Sequence, residues 1–271
     1  MSDLKNDAGE HFRNMDDMKN YVRTYYASLY TKDVNEPADF SNCIENFLGE
    51  EICQNPITVS RKIPANLAES LELPISIEEL DKSISQANKS ACGMDGISNC
   101  FIKKYWTYFR TPLHRYLGTA LLKKQLTPTF HTGLIKLIPK KGDTTRLTNW
   151  RPISLLSCMY KILSRALNNR LKLACNHIYS RAQKGFTSNR YIQEVLINLC
   201  ETIGYCNSND IPACIVAIDQ SKAFDSISHK YMVEAYKFFG LGPNFISLLT
   251  TLGSGRNACI SFDDGSVSPP L

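Results

Sequence analysis

A chain of 271 residues that is 43% apolar can bury a core of its own, which excludes wholesale disorder. No apolar run reaches membrane-spanning length, the N-terminal MSDLKNDAGEHFR is too charged for a signal peptide, and ten cysteines without a CxxC make neither a disulfide scaffold nor a zinc module. The net charge of +5 is unevenly spread: residues 101–190 hold 18 Lys or Arg and one acid, Asp143, whereas residues 1–100 hold 9 basic and 17 acidic residues and residues 191–271 hold 4 and 8. A block at net +17 repels itself unless a polyanion lies against it, and nucleic acid is the polyanion this pattern fits. Reduced thiols in the nucleus or cytoplasm are expected, most of them as small core residues.

In chain order, residues 13–30 place Met15, Met18, Tyr21, Val22, Tyr25 and Leu29 at helical spacing. Residues 31–75 read as a linker with short helices, and Ile77–Ala87 as a further helix. The loop NKSACGMDGIS follows, with its Asp95-Gly96 turn signal. Residues 99–125 are predicted helical with Tyr105, Trp106, Tyr108 and Phe109 packed inward. GLIKLIPK (133–140) and WRPISLL (150–156) are the arms of a hairpin. The next helix carries Ile162, Leu163, Ala166, Leu167 and Leu171 on one face, and QEVLINLCETIGYC (193–206) forms another. ACIVAI (213–218) is the best candidate for a buried strand. Ser228 caps a helix that ends at Gly240, and Pro243 opens one that ends at Gly253. The tail RNACISFDDGSVS reads as two strands around Asp264-Gly265.

The chemistry centres on Asp219, directly after the 213–218 run. A carboxylate ending a buried strand is costly unless it faces a cleft and meets a cation. Such a carboxylate can bind magnesium, whose remaining positions take substrate phosphates. Lys140 and Arg151 flank the hairpin connection and can hold a triphosphate, Arg through its bidentate fork. Together these features suit nucleotidyl transfer by two metal ions.

Five stretches in register carry a family resemblance: VRTYYASLY, NKSACGMDGIS, LIPKKGD…NWRPISLL…YKILSRALNNRL, QKGFTSNR and IDQSKAFDSISH. The chain resembles the reverse transcriptase domain of LINE-type (non-long-terminal-repeat) retrotransposons. The resemblance implies an α+β fold, the fingers of a right-hand polymerase with an incomplete palm, mostly helical with β-hairpins. It divides the chain into an N-terminal extension (1–75), a fingers-like region (76–205) and a partial palm (206–271). Asp219 becomes a catalytic metal ligand, completed by the main-chain carbonyl of Ile218 or Gln220, and the cofactor Mg2+ or Mn2+. Lys140 and Arg151 become triphosphate contacts, and Phe224 the ring that packs on the incoming sugar and excludes a 2′-hydroxyl. Gly185, Phe186 and Arg190 line the template path. The implied partners are an RNA template, a DNA primer and deoxynucleoside triphosphates, with no membrane and no small-molecule cofactor beyond the metal. Cys92 and Met94 replace prolines of the family, and Asn189 a frequent glycine, which Asn can mimic in left-handed geometry. The family's later catalytic acids fall after residue 271, so the chain alone is expected to be inactive. The alternative is a non-enzymatic nucleic-acid-binding protein derived from a decayed retroelement.

Overall fold

The computed structural model describes residues 3–30, 41–220, 223 and 227–271. Its first elements are β1 (Leu4–Lys5), β2 (His11–Phe12), α1 (Met15–Tyr30), α2 (Cys43–Gln54), α3 (Pro56–Ser60) and α4 (Ala65–Leu71). There follow α5 (Ile77–Ser85), α6 (Asn99–Lys104), α7 (Trp106–Leu122), α8 (Pro128–His131), β3 (Thr132–Pro139) and β4 (Trp150–Leu155). The last are α9 (Cys158–Ile178), α10 (Gln193–Ser208), α11 (His229–Phe238), α12 (Pro243–Gly253) and β5 (Asn257–Ser261). The chain is thus a mixture of helices and small sheets. It forms two units: Met1–Glu36 with Leu73–Leu167 and Asn244–Leu271, and Pro37–Glu72 with Asn168–Pro243.

In the first unit a three-stranded sheet has β3 at its centre, antiparallel to β4 and parallel to β5. Strand alternation sorts β3 into two faces: Ile135 and Leu137 are buried, while Lys136 and Ile138 are exposed. Helix α1 lays Met18, Val22 and Tyr26 into one core with Ile135, Leu137 and Ile260. Those α1 residues recur every four positions, the spacing of a helical stripe. The predicted face is therefore right in outline, with Tyr21, Tyr25 and Leu29 at its margin and Met15 exposed. The first arm of the predicted tail hairpin forms as β5, but its parallel pairing with β3, like the β1–β2 hairpin, was not in the sequence reading. The second arm of the predicted tail hairpin contributes one bridge, Ser261 to Val267. Lys19 donates to Asp264 at 2.6 Å, which holds that carboxyl well below the usual carboxylate range and ties α1 to the tail turn.

Helix α5 begins with a reciprocal cap: the Ser76 hydroxyl accepts from Glu79 N at 3.3 Å, and the Glu79 carboxylate accepts from Ser76 N at 2.9 Å. Asp81 then ties α5 to α7, accepting from Trp106 Nε1 at 2.6 Å and from Arg110 at 2.8 Å. The inward stripe is aliphatic, built of Ile102, Leu113, Leu117 and Ala120. The predicted inward packing of all four aromatics is corrected here. Tyr108 is 77% exposed and Tyr105 38%, while Trp106 and Phe109 are half-buried. The aliphatic residues claim the buried face, and the tyrosines keep their hydroxyls in water. The predicted loop 88–98 lies so close to the chain after β4 that a Cβ on Gly93 would stand 2.6 Å from Ser157 N.

The second unit includes α2, bent at Gly49 (φ 79°), packed on α11. Ser228 accepts from Tyr231 N at 3.3 Å to cap α11, and Gly240 (φ 89°) ends it in the left-handed region. Beside it Ile63 N donates to Phe239 O at 2.9 Å, and the buried Arg170 donates to Leu71 O at 3.1 Å. Helix α10 forms as predicted but buries none of its residues. The predicted buried strand 213–218 is corrected: residues 211–220 form no strand and are exposed throughout, Ile218 to 90%. A strand is buried only when neighbours pair its edges and cover its faces, and no described strand pairs with this run.

All ten cysteines are unpaired; the expectation that most are core residues fails, since only Cys158 and Cys259 are buried. Burial pushes the Cys158 thiol up to about 11. Among the described residues no helix is long and apolar enough to cross a membrane.

Candidate functional site

The β3–β4 hairpin presents an outer face on which two cations, Lys136 and Arg151, are unpartnered among the described residues. Register pairs Ile138 with Arg151 and Lys136 with Ile153, which sets all four side chains on that face, and all four are exposed. Neither Arg151 nor Lys136 has a side-chain hydrogen bond or ion pair among the described residues. Lys141, just past the strand, is exposed in the same state. Alternation carries Lys140 to the side of Ile138, but its ammonium donates to Thr148 O at 2.9 Å. The single acid of the basic block is also engaged. Asp143 accepts from Thr145 Oγ1 at 2.7 Å and from its N at 3.0 Å, bonds that hold its carboxyl below the ordinary value. No acid therefore neutralises the face from within the connection.

Exposed guanidinium and ammonium groups beside two exposed isoleucines can bind phosphate oxygens while the apolar atoms lie against sugar or base. The sequence reading found Lys140 and Arg151 and missed Lys136. The alternation in GLIKLIPK, which places Lys136, Ile138 and Lys140 on one side, was the signal that pointed to it.

Two clasps fix the neighbourhood of this hairpin. Lys161 Nζ donates to Ala91 O at 2.8 Å and to Ser90 Oγ at 3.2 Å, and Asn99 Nδ2 donates to Asn88 O at 2.8 Å and to Ser90 Oγ at 2.9 Å. The first holds the 88–98 loop against the start of α9, just after β4, and the second ties the same loop to the start of α6.

In the second unit, Gly185, Phe186 and Arg190 share one loop. The Arg190 guanidinium donates to Gln183 O at 2.9 Å, to Tyr179 O at 3.3 Å and to Ser180 O, so it gathers the carbonyls of the segment that follows α9 and closes the loop. Lys184 pairs with Glu194, whose carboxyl this bond holds low. Phe186 is fully exposed at φ 58°, and Asn189 takes φ 57°, the left-handed geometry expected where a glycine is replaced by Asn. A bulky residue kept at positive φ on the surface is strained, and such strain collects at binding loops.

Ile218, Asp219 and Gln220 are consecutive and exposed. Phe224 and Asp225 lie outside the described residues. Among the described residues no group of three Asp, Glu, His or Cys gathers as a metal cluster. Asp219 stands there as a single carboxylate, so the described residues do not by themselves form a metal centre.

Residues 138–263, a span that takes in Lys140, Arg151, the 183–190 loop and Asp219, match the family described as reverse transcriptase (RNA-dependent DNA polymerase). The chain is 28% identical over 256 residues to the "Transposon TX1 uncharacterized 149 kDa protein" of Xenopus laevis, covering 94% of itself and 18% of that protein. It is 31% identical over 197 residues to the "Retrovirus-related Pol polyprotein from type-1 retrotransposable element R2" of Popillia japonica, covering 71% of itself and 26% of the relative. It is 27% identical over 238 residues to the "Probable RNA-directed DNA polymerase from transposon BS" of Drosophila melanogaster, covering 80% of itself and 25% of the relative. The chain thus spans 18–26% of the length of these relatives.

Proposed function

Because residues 138–263 belong to the reverse transcriptase family and the relatives come from non-long-terminal-repeat retrotransposons, we propose that the chain serves RNA-directed DNA synthesis. It would hold an RNA template, a DNA primer and an incoming deoxynucleoside triphosphate. The observation that carries this reading is the outer face of the β3–β4 hairpin, with Arg151 and Lys136 exposed and unpartnered among the described residues. In this reading residues 76–205 are fingers, residues 206–271 part of a palm, and residues 1–75 an extension.

Arg151 offers two parallel N–H donors to one phosphate, a geometry a lysine cannot supply. Lys140 would exchange the Thr148 carbonyl for a second phosphate, a small rearrangement of one flexible side chain. Lys136, farther along the face, suits a backbone phosphate of the bound strand. The 183–190 loop, with Gly185, Phe186 and Arg190, is assigned to the template path: Arg190 fixes the loop's shape, and Phe186 presents its ring to solvent. The reverse transcriptase family is divalent-metal dependent. Asp219 is the carboxylate we assign to that ion, beside the carbonyl of Ile218 or Gln220, and Phe224 the residue we assign to the sugar.

The test compares binding of deoxyadenosine triphosphate and monophosphate to the wild-type chain and to Arg151→Gln. Loss of a charge-assisted, two-bond phosphate contact should weaken triphosphate binding about ten- to a hundredfold and leave the monophosphate little changed. Equal affinities in wild type and variant, or equal losses for both nucleotides, would contradict the assignment.

A further inference from the structure

Outside the hairpin, three aromatics around the junction of α6 and α7 collect in one place. The Phe101 and Tyr105 rings are 5.0 Å apart between centroids and tilted by 52°, and Phe109 stands 6.2 Å from Phe101. Phe101 is 48% exposed, Tyr105 38%, and Phe109 half-buried, so part of each ring faces water. Lys104 lies 5.5 Å from the Tyr105 centroid. Exposed rings in a helical protein usually mark a surface that something covers.

The charge of the segment that carries the cluster says what covers it. Residues 99–124 contain Lys103, Lys104, Arg110, Arg115, Lys123 and Lys124 and no Asp or Glu. Two of the six are committed, Lys103 to the carbonyls of Ser85 and Ala87 and Arg110 to Asp81. Lys104, Arg115, Lys123 and Lys124 make no side-chain hydrogen bond or ion pair among the described residues. The cluster is also held in shape. Ser98 caps α6 by accepting from Phe101 N at 3.1 Å, and the buried Asn99 anchors the same turn to the 88–98 loop. Rings fixed in advance lose little entropy when a ligand stacks on them.

We infer that Phe101, Tyr105 and Phe109, with Lys104 beside them, form a stacking platform for single-stranded nucleic acid. The platform shares no residue with the hairpin face. It rests on the proposed nucleic-acid function and adds a contact to it. Ring faces among unpaired cations accept bases and backbone together, and any base stacks, so the platform reads no sequence. Bases inside a duplex have both faces occupied by their neighbours and cannot use it. A protein partner would need an acidic, apolar face, and would leave single-strand affinity independent of the rings.

The experiment measures fluorescence anisotropy of the full chain with a short unstructured uridine-rich RNA and with a blunt RNA–DNA duplex. Phe101→Ala and Tyr105→Ala should each weaken single-strand binding by roughly five- to a hundredfold, while Tyr105→Phe retains it and duplex binding holds. Cross-linking the wild-type chain with 4-thiouridine RNA, which needs no variant to fold, should map to residues 101–109. Unchanged single-strand affinity at matched folded fraction, equal losses for duplex and single strand, or cross-links confined elsewhere would each overturn the inference. So would self-association relieved by Tyr105→Ala with RNA affinity unmoved. A wild-type chain that binds neither nucleic acid would instead bring down the proposed function itself.

Discussion

Strand β3 and the 213–218 run are both short, apolar and rich in β-branched residues, yet only β3 has neighbours on both edges. Its inner face is covered by α1, its outer face is free to carry Lys136, and its two partners are the adjacent hairpin arm β4 and the distant strand β5. Among the described residues the 213–218 run meets no partner strand, and it is exposed throughout. Local composition makes a segment fit for a sheet; pairing and covering decide whether one forms. The difference bears on function as well. The supported hairpin holds its cations in a fixed register, whereas Asp219 extends from a segment that no strand among the described residues fixes.

The largest expected effect separates the two segments directly. Ile135→Ala should destabilise the first unit by about 2–5 kcal/mol, because a buried side chain leaves a cavity behind. Ile215→Ala, in the exposed run, should change stability by less than about 0.5 kcal/mol. Urea unfolding followed by circular dichroism measures both. Similar losses at the two sites would mean that 213–218 is buried in solution.

A smaller contrast uses two glycines. Gly93→Ala would press a Cβ into the backbone of Leu156 and Ser157, and should destabilise by roughly 1–3 kcal/mol. Gly204→Ala falls in α10, where nothing lies within 4 Å, and should stabilise by about 0.5–1 kcal/mol through helix propensity. Thermal melts of the two variants should move in opposite directions. If both fall, α10 is covered in solution; if neither does, the 88–98 loop is looser than its clasps suggest.

Signals confined to a few residues were legible in the sequence. Ser228, Gly240 and Pro243 set the ends of two helices as read, the hairpin arms paired as read, and Asn189 took the left-handed geometry its side chain permits. Pairings between distant segments left no local trace. The parallel match of Thr132 with Asn257 joins the middle of the chain to its last strand, and nothing in either segment names the other. Burial was misread where composition stood in for geometry, at Tyr108 on α7 and at the 213–218 run. At the candidate site, residue identity showed Lys140 and Arg151 as cations beside a turn. Their states, Lys140 bound to Thr148 and Arg151 without a partner among the described residues, depend on hydrogen bonds that only the folded hairpin defines.

The central claim, that the outer face of β3–β4 is the phosphate-binding surface, is tested most directly by salt dependence. Affinity for an RNA–DNA hybrid would be measured across a potassium chloride series for the wild-type chain and for Lys136→Gln combined with Arg151→Gln. Each phosphate contact contributes about 0.7–0.9 to the slope of log affinity against log salt, so losing two should make the slope shallower by roughly 1.4–1.8. A variant with the wild-type slope, bound as tightly as the wild type, would contradict the account.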